Sequence, residues 1–362
     1  MDLTASRRFV EVVSFDSSIE HPKIGEKIHL KDEFRKITLP NGVEVKFEEI
    51  IGLAGDFYGL PENPIIDSFK KEEEDFLRKQ RFRGAYNTLA RAPKDELQKE
   101  LDKLLDFFRK ERVLDAETAD EITGGVWFLG IPVIQGRKLE LAENNYDHFL
   151  PYAKDAYLTG HQLAIEKARE ASQYPRDPEL RKKLLHEAFS KEAFACHFLT
   201  DSFASGHIRT PRFELGRATI LGKKGHLLSK YMHDEDNKYG LRVTNLRGDK
   251  WIAYGDGMLL EGKSRDNLRI VVKAVQISVD QVYEAYSNPT KALDPSVVTE
   301  FIPFIDIEET NNAPLFQVKD GKVHRRSNIN DLQDTSTTEN WWGLTTLVKI
   351  TLCCYKPRNS SV

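Results

Sequence analysis

Along most of the chain, apolar residues recur every three or four positions, the period of helices that bury one face. Residues 70 to 112 are dense in Glu, Lys, Leu and Phe and are divided by Pro93. This predicts two amphipathic helices, the second burying Leu101, Leu104, Leu105 and Phe108. From Pro151 to Ser172, Ala153, Ala156, Tyr157, Ala164, Ile165 and Ala168 keep helical spacing, and Pro175 ends the segment. Another helix starts at Asp177-Pro178, a cap and first-turn pair, and runs through Leu184, Leu185, Ala188, Phe194 and Phe198 until Gly206 stops it. Thr219 to Asn237 and Ser264 to Ser287 read as two more helices.

In a few places the pattern is that of strands. Asn41-Gly42 stands between alternating runs over residues 37 to 47, which predicts a β-hairpin. Leu241 to Gly255 reads as a second, with Trp251 on one strand, and Lys319-Asp320-Gly321-Lys322 supplies another hairpin turn. Trp127, Phe128 and Ile131 lie in an apolar run that reads as a buried strand, as does the tail from Leu344 to Cys354. Asp334 to Thr338 reads as a surface loop, and no repeat of fixed period occurs. The expectation is a mainly α, multi-helix bundle with a few short β-hairpins. A helical body covers 1–290, with a helical pair inserted at about 68–115, and a mixed extension covers 291–362.

Composition narrows the class. With 362 residues, 40% apolar and 30% charged, the chain has the make-up of a globular protein with a large core. A net charge of −4 provides no broad attraction for nucleic acid or anionic membrane, so nucleic acid is not an expected partner. No run has transmembrane length, and no apolar run of seven or more follows Arg7 and Arg8. A cytoplasmic location is therefore expected. Three cysteines, two of them the adjacent Cys353 and Cys354, make no disulfide framework, and palmitoylation of that pair is the alternative to a buried strand.

Chemistry concentrates in the histidines, seven of the ten falling between residues 148 and 233. His197 and Asp201 are four apart, on one face of a helix, and can chelate a borderline metal such as zinc, with His207 reaching in from beyond Gly206. The plainer alternative pairs His197 with Asp201 by a hydrogen bond and leaves His207 on the surface. Flanking Phe194, Ala195, Phe198, Leu199 and Phe203 place the pair in a buried helix, where polar groups need strong partners. Asp56, in Gly52-Leu-Ala-Gly-Asp-Phe-Tyr-Gly59, reads as a ligand or a cap. His148 precedes the Pro151 helix as cap or ligand, and His233 opens His-Asp-Glu-Asp-Asn237, a ligand set or a solvated helix end. Cys196 lies off the face of His197 and reads as packing.

His197-x3-Asp201-x5-His207, followed by a later helix-borne His-x3-acid element, resembles the signature of the zinc-dependent bacterial phospholipases C and fungal single-strand nucleases. The phrase Phe149-Leu-Pro-Tyr-Ala-Lys-Asp-Ala156 is similar to the helix after that superfamily's earlier zinc histidine, which points to His148. Gly-Leu-Ala-Gly-Asp-Phe-Tyr leans toward the phospholipase branch, and the likeness spans about residues 21 to 260. The resemblance implies a helical phospholipase C-like fold holding about two or three zinc ions. In it Asp201 bridges two metals beside His197 and His148, Asp56 comes from the upstream loop, and His207 and His233 serve another zinc. Asp56 would also orient or deprotonate the attacking water. The implied reaction is hydrolysis of phosphatidylcholine-type lipids to diacylglycerol and a phosphorylated head group, at a membrane surface met transiently. For such a substrate Trp127, Phe128 and Ile131 are candidates for an apolar lip, the alternative to the buried strand.

The chain departs from the pattern twice. His233-x3-Asn237 replaces the acid, leaving the carboxylate to Asp236 or Asp234, or the role to the Asn237 oxygen; Asp236 is the preferred choice. No tryptophan before Trp127 matches the superfamily's N-terminal ligand, and His21 or His29 stands for its N-terminal histidine, with His21 taken as the ligand. Family members are often secreted. The alternatives are a single-strand nuclease of the same superfamily and a non-catalytic helical protein with a structural zinc.

Overall fold

The 3.6-residue apolar period does yield a mainly α protein with short β-hairpins. The computed structural model describes residues 20–67, 74–110, 114–218, 226–255, 258–259, 261–341, 343–350 and 355–357. Met1 to Val10, the starts of the helices expected at 70 and 219, and Cys353 and Cys354 lie outside these residues.

In chain order, α1 (Glu20–Gly25) precedes a hairpin of β1 (Lys36–Thr38) and β2 (Glu44–Lys46), turned at Gly42, and α2 (Phe47–Leu53) follows directly. The helical pair expected at about 68–115 is α3 (Asp75–Ala90) and α4 (Lys94–Arg109), and α4 buries Leu97, Leu101, Leu104, Leu105 and Phe108. Next come α5 (Ala116–Ile122), the hairpin β3 (Val126–Phe128) and β4 (Ile131–Ile134), and α6 (Arg137–Asn144). The long helices α7 (Tyr152–Ser172) and α8 (Pro178–Asp201) pack along each other, and Asp177 caps α8 by accepting from the Leu180 amide. After α9 (Ser205–Ile208) and α10 (His226–Tyr239), β5 (Leu241–Thr244) and β6 (Lys250–Ala253) carry Trp251, and α11 (Arg265–Ser287) packs against α7 and α8. β7 (Phe304–Ile305) adds to β5, while β8 (Phe316–Lys319), β9 (Lys322–Arg326) and β10 (Thr337–Thr338) form a second sheet. α12 (Gly343–Val348) follows it.

Three expectations need correction. α8 stops at Asp201 rather than Gly206, because Phe203 and Ala204 bond back three residues, to Thr200 and Asp201, and tighten the chain out of the helix. His207 therefore sits on its own short turn, α9. The apolar run around Phe128 is no buried strand: it forms a two-residue hairpin with Phe128 68% and Leu129 64% exposed. The tail begins as helix α12, where packing overrides the strand preference of its β-branched residues, Arg325 donating to the Thr346 hydroxyl at 3.0 Å.

One hydrophobic core runs from Ile24 to Ile302, taking in Val298 and Phe301, so the chain beyond residue 290 is built onto the helical body. A second, smaller core joins Leu228 and Met232 of α10 to Leu315, Phe316, Ile329 and Ile350. Beside it the buried Arg326 guanidinium grips Glu235 of α10 through two 2.8 Å bonds. No helix among the described residues is long and apolar enough to cross a membrane.

From Ala188 to Asp201 every residue of α8 is buried, so its polar side chains must be satisfied inside. Glu192 accepts from His161 Nδ1 at 2.8 Å, from the Cys196 thiol and from the Ser278 hydroxyl. His161 Nε2 meets Gln281 Oε1 at 2.8 Å, and the Gln281 amide nitrogen is committed to the Asp294 carbonyl. Both ring nitrogens of His161 thus face acceptors. Burial alone would push its pKa down, but Glu192 and Gln281 outweigh that and hold it above the ordinary value.

Candidate metal centre

The last turn of α8 carries His197 and Asp201 side by side, as their spacing requires. Other segments bring the rest: α1 supplies His21, the loop after α2 Asp56, the 3-10 turn Tyr146–His148 supplies His148, and α9 supplies His207. All are buried, His197 completely and Asp56 the least, at 7% exposed. Gly55 makes the approach possible. It has φ +67°, and a Cβ there would lie 2.6 Å from His148 Cε1 and 2.7 Å from His197 Cδ2.

Four imidazoles surround the Asp201 carboxylate. Oδ2 faces His148 Nδ1 at 2.9 Å and His197 Nε2 at 3.3 Å, while Oδ1 faces His21 Nε2 at 3.5 Å and His207 Nδ1 at 3.6 Å. The hydrogen-bond network assigns the tautomers. His197 Nδ1 donates to the Ile51 carbonyl at 2.9 Å, so its Nε2 carries a lone pair. The Thr200 hydroxyl gives its own hydrogen to helix carbonyls and accepts from His21 Nδ1 at 2.7 Å, so His21 Nε2 is also a lone-pair nitrogen. His207 Nδ1 donates to the His148 carbonyl at 2.8 Å, leaving Nε2 as its ligating nitrogen.

Lone pairs of His197 and His21 therefore point at a carboxylate, and Asp201 Oδ2, though buried, accepts no hydrogen bond. Such groups repel unless a proton or a cation lies among them, and imidazoles anchored through their far N–H are the usual setting of metal ligands. The spacing fits. Two donors on one tetrahedral zinc lie about 3.3 Å apart. His148, His197 and Asp201 are separated by 2.9 to 3.3 Å. A second group, His21, Asp56 and His197, also converges, all ligand atoms lying within 4.8 Å of one another. One nitrogen lone pair serves one ion, so His197 can serve only one of these two groups at a time.

The charges agree with this assignment. Burial pushes His148 down to about 4 and lowers His197, so both rings are neutral, ligating bases near neutral pH. Burial raises the Asp201 carboxyl against the pull of His197, His207 and His21. Burial likewise opposes ionisation of Asp56, but the Lys138 ammonium, 2.9 Å from Oδ1, leads the charges that outweigh it and hold the carboxyl well below its usual range.

The expected His233 and Asp236 site does not assemble. Arg209 grips both Asp236 oxygens, at 2.9 and 2.6 Å, away from His233. The residue on His233's face is Asn237, one helical turn on, as the i, i+4 rule dictates. Its oxygen accepts from the Gly206 amide at 2.6 Å, which turns its NH2 to His233 Nε2 at 3.2 Å. Asp234 accepts from His233 Nδ1. His233 therefore stands beside His207, rings 5.0 Å apart, with its ligating nitrogen occupied. His29 is exposed, so His21 is the N-terminal histidine at the site. Sequence reasoning missed Lys138 and Thr200; a lysine in an amphipathic helix and a threonine in an apolar one carry no signal of their own. The chain matches no family model, and no curated protein or solved structure is significantly similar to it.

Proposed function

We propose that the chain is a zinc-dependent phosphodiester hydrolase, a phospholipase C acting on phosphatidylcholine-type lipids. The observation that carries this reading is the convergence of the tautomer-fixed lone pairs of His197 and His21 on the buried Asp201. Imidazole with carboxylate suits zinc among the common metals. His148, His197 and Asp201 would hold one ion with a position left over, the pattern of catalytic rather than structural sites, and His21 and Asp56, which converge on the same His197, would reach that ion or a neighbouring one. Bound zinc supplies an acidified water near neutral pH and positive charge for the phosphodiester oxygens.

The chain's own groups divide the remaining work. Asp201 presents Oδ2 to His148 and His197 and Oδ1 to His21, so its two oxygens would be free to serve two ions. Asp56, kept ionised beside Lys138, is too weak a base to take a proton efficiently, so its role is to orient water through its carboxylate oxygens. Lys138 fixes that carboxylate.

Burial of every ligand favours a second reading, a closed structural metal site. Metal content and turnover separate the two. Purified protein and its Asp201→Ala variant are analysed for zinc, with phosphatidylcholine hydrolysis followed alongside. More than one zinc per chain, lost together with hydrolysis in the variant, is the expected result. One ion without hydrolysis supports the structural reading, hydrolysis of single-stranded nucleic acid in place of lipid supports the nuclease, and no metal after zinc-replete purification sinks the proposal.

A further inference from the structure

Between Val126 and Ile134 the sequence Val-Trp-Phe-Leu-Gly-Ile-Pro-Val-Ile contains no charged side chain, and the Trp127 indole N–H is its sole polar side-chain group. That N–H donates to the buried Asp120 at 2.8 Å, which turns Trp127 and its partner Pro132 inward. The opposite face of the ribbon, Phe128 with Ile131 and Val126 with Ile134, is exposed, as are the bulged Val133 at 65% and the tip residue Leu129. The tip is a two-residue turn in which Leu129 and Gly130 have φ of 52° and 75°. Asparagine or glycine suits such a position, and an aliphatic residue there costs about 1–2 kcal/mol. The chain carries a large apolar side chain at the tip of the hairpin in spite of that cost.

We propose that the β3–β4 hairpin is the element through which the protein enters the surface of a zwitterionic lipid layer. The choice of lipid as occupant rests on the phospholipase reading of the metal centre and on the chemistry of the hairpin. Protein interfaces carry roughly one hydrogen bond per 100–200 Å². This face offers no side chain to make one, as hydrocarbon requires. Each arm is about 10–13 Å long, enough for shallow insertion. The open edges of a two-stranded ribbon keep unpaired backbone groups, which hold it at the interface and out of the hydrocarbon centre. Exposed Glu117 and Glu121 on adjoining α5, with the net charge of −4, disfavour anionic lipid and leave apolar burial as the driving force.

The hairpin is also coupled to the metal centre. Asp120 accepts from the Trp127 indole, from the Gly136 amide at 2.9 Å and from the Leu139 amide at 3.2 Å, tying the base of the ribbon to the start of α6. Lys138, in that first turn, holds Asp56. Insertion thus fixes the attitude of the metal centre toward the lipid surface.

The test is co-sedimentation of the full chain with phosphatidylcholine vesicles, wild type against Phe128→Ser/Leu129→Asn, at about 0.1 M and about 0.5 M salt. Melting temperature and zinc content of the variant serve as the folding control, and asparagine suits the turn. Vesicle binding by the wild type should be insensitive to salt and about 100-fold weaker in the variant, about tenfold for each inserted side chain removed. Should the double variant fail the folding control, Val133→Thr, at the bulge, should lower binding about tenfold. Equal binding by wild type and folded variant, or no binding by the wild type, overturns the proposal. So does a concentration-dependent dimer dispersed by the substitutions without vesicle binding, which assigns the face to a second copy. Hairpin-dependent binding with no lipid hydrolysis by the zinc-loaded chain supports the hairpin and defeats the phospholipase reading instead.

Discussion

Replacing Thr200 by valine keeps the side chain's shape and removes the oxygen that accepts from His21 Nδ1. That bond is 2.7 Å long and buried, and it fixes the tautomer that aims Nε2 at Asp201. Without it, the His21 proton has no reason to stay on Nδ1. The ring then spends part of its time with a hydrogen pointing into the metal site. Loss of such an outer partner typically weakens metal binding about 10–100-fold, or about 1.4–2.8 kcal/mol. Leaving the buried N–H unmet costs about 1–3 kcal/mol of folding stability in the metal-free protein. Zinc affinity is read by competition against a chromophoric chelator, and stability by thermal melts with and without metal. The destabilisation should be larger in the zinc-loaded protein than in the stripped one, because the variant loses binding energy as well as a hydrogen bond. Equal destabilisation of both forms with zinc affinity unchanged within twofold would refute the tautomer argument and leave Thr200 as a core residue.

Gly55→Ala should disturb the same site from the other side: a left-handed alanine costs about 1–2 kcal/mol by conformation alone. Its Cβ would also press on the His148 and His197 rings from 2.6 and 2.7 Å. Lower zinc content and a lower melting temperature are expected together, and retention of full zinc affinity would count against the close fit. The His161–Glu192 network predicts a pH dependence. The folded-state pKa of His161 is raised above 6.5, so its contribution is complete below pH 6.5 and fades as pH rises through the folded value. The stability advantage of wild type over His161→Asn should therefore shrink on the alkaline side, and an advantage constant from pH 6 to 9 would show that the ring is neutral.

The helices, the hairpin at Asn41-Gly42 and the His197–Asp201 pair were legible because each rests on local spacing, 3.6-residue periods, turn chemistry and the i, i+4 relation, whereas His21, Asp56 and His148 were reached through the resemblance. Lys138 was not, since its partner Asp56 is 82 residues away and tertiary packing alone brings them together. Asp236 misled for a similar reason: the sequence near His233 offers three acids in a row, and which one turns inward depends on Arg209 reaching across from beyond α9. The apolar run at Phe128 illustrates the limit of periodicity, which measures how apolar a segment is and says nothing of whether a neighbour covers it.

The second core has a consequence for dividing the protein into pieces. α10 lies on the site side through His233 and Asn237, yet it contributes Leu228 and Met232 to a core completed by residues 315 to 350, and Glu235 to the grip of Arg326. A fragment ending near residue 290 would expose those apolar side chains and strand the Glu235 carboxylate in a half-stripped surface. The sheet after residue 315 thus acts as a brace for a helix that borders the candidate metal centre. Shortened versions for crystallography, and exchanges with other helical bodies, have to keep that brace with α10 as one unit.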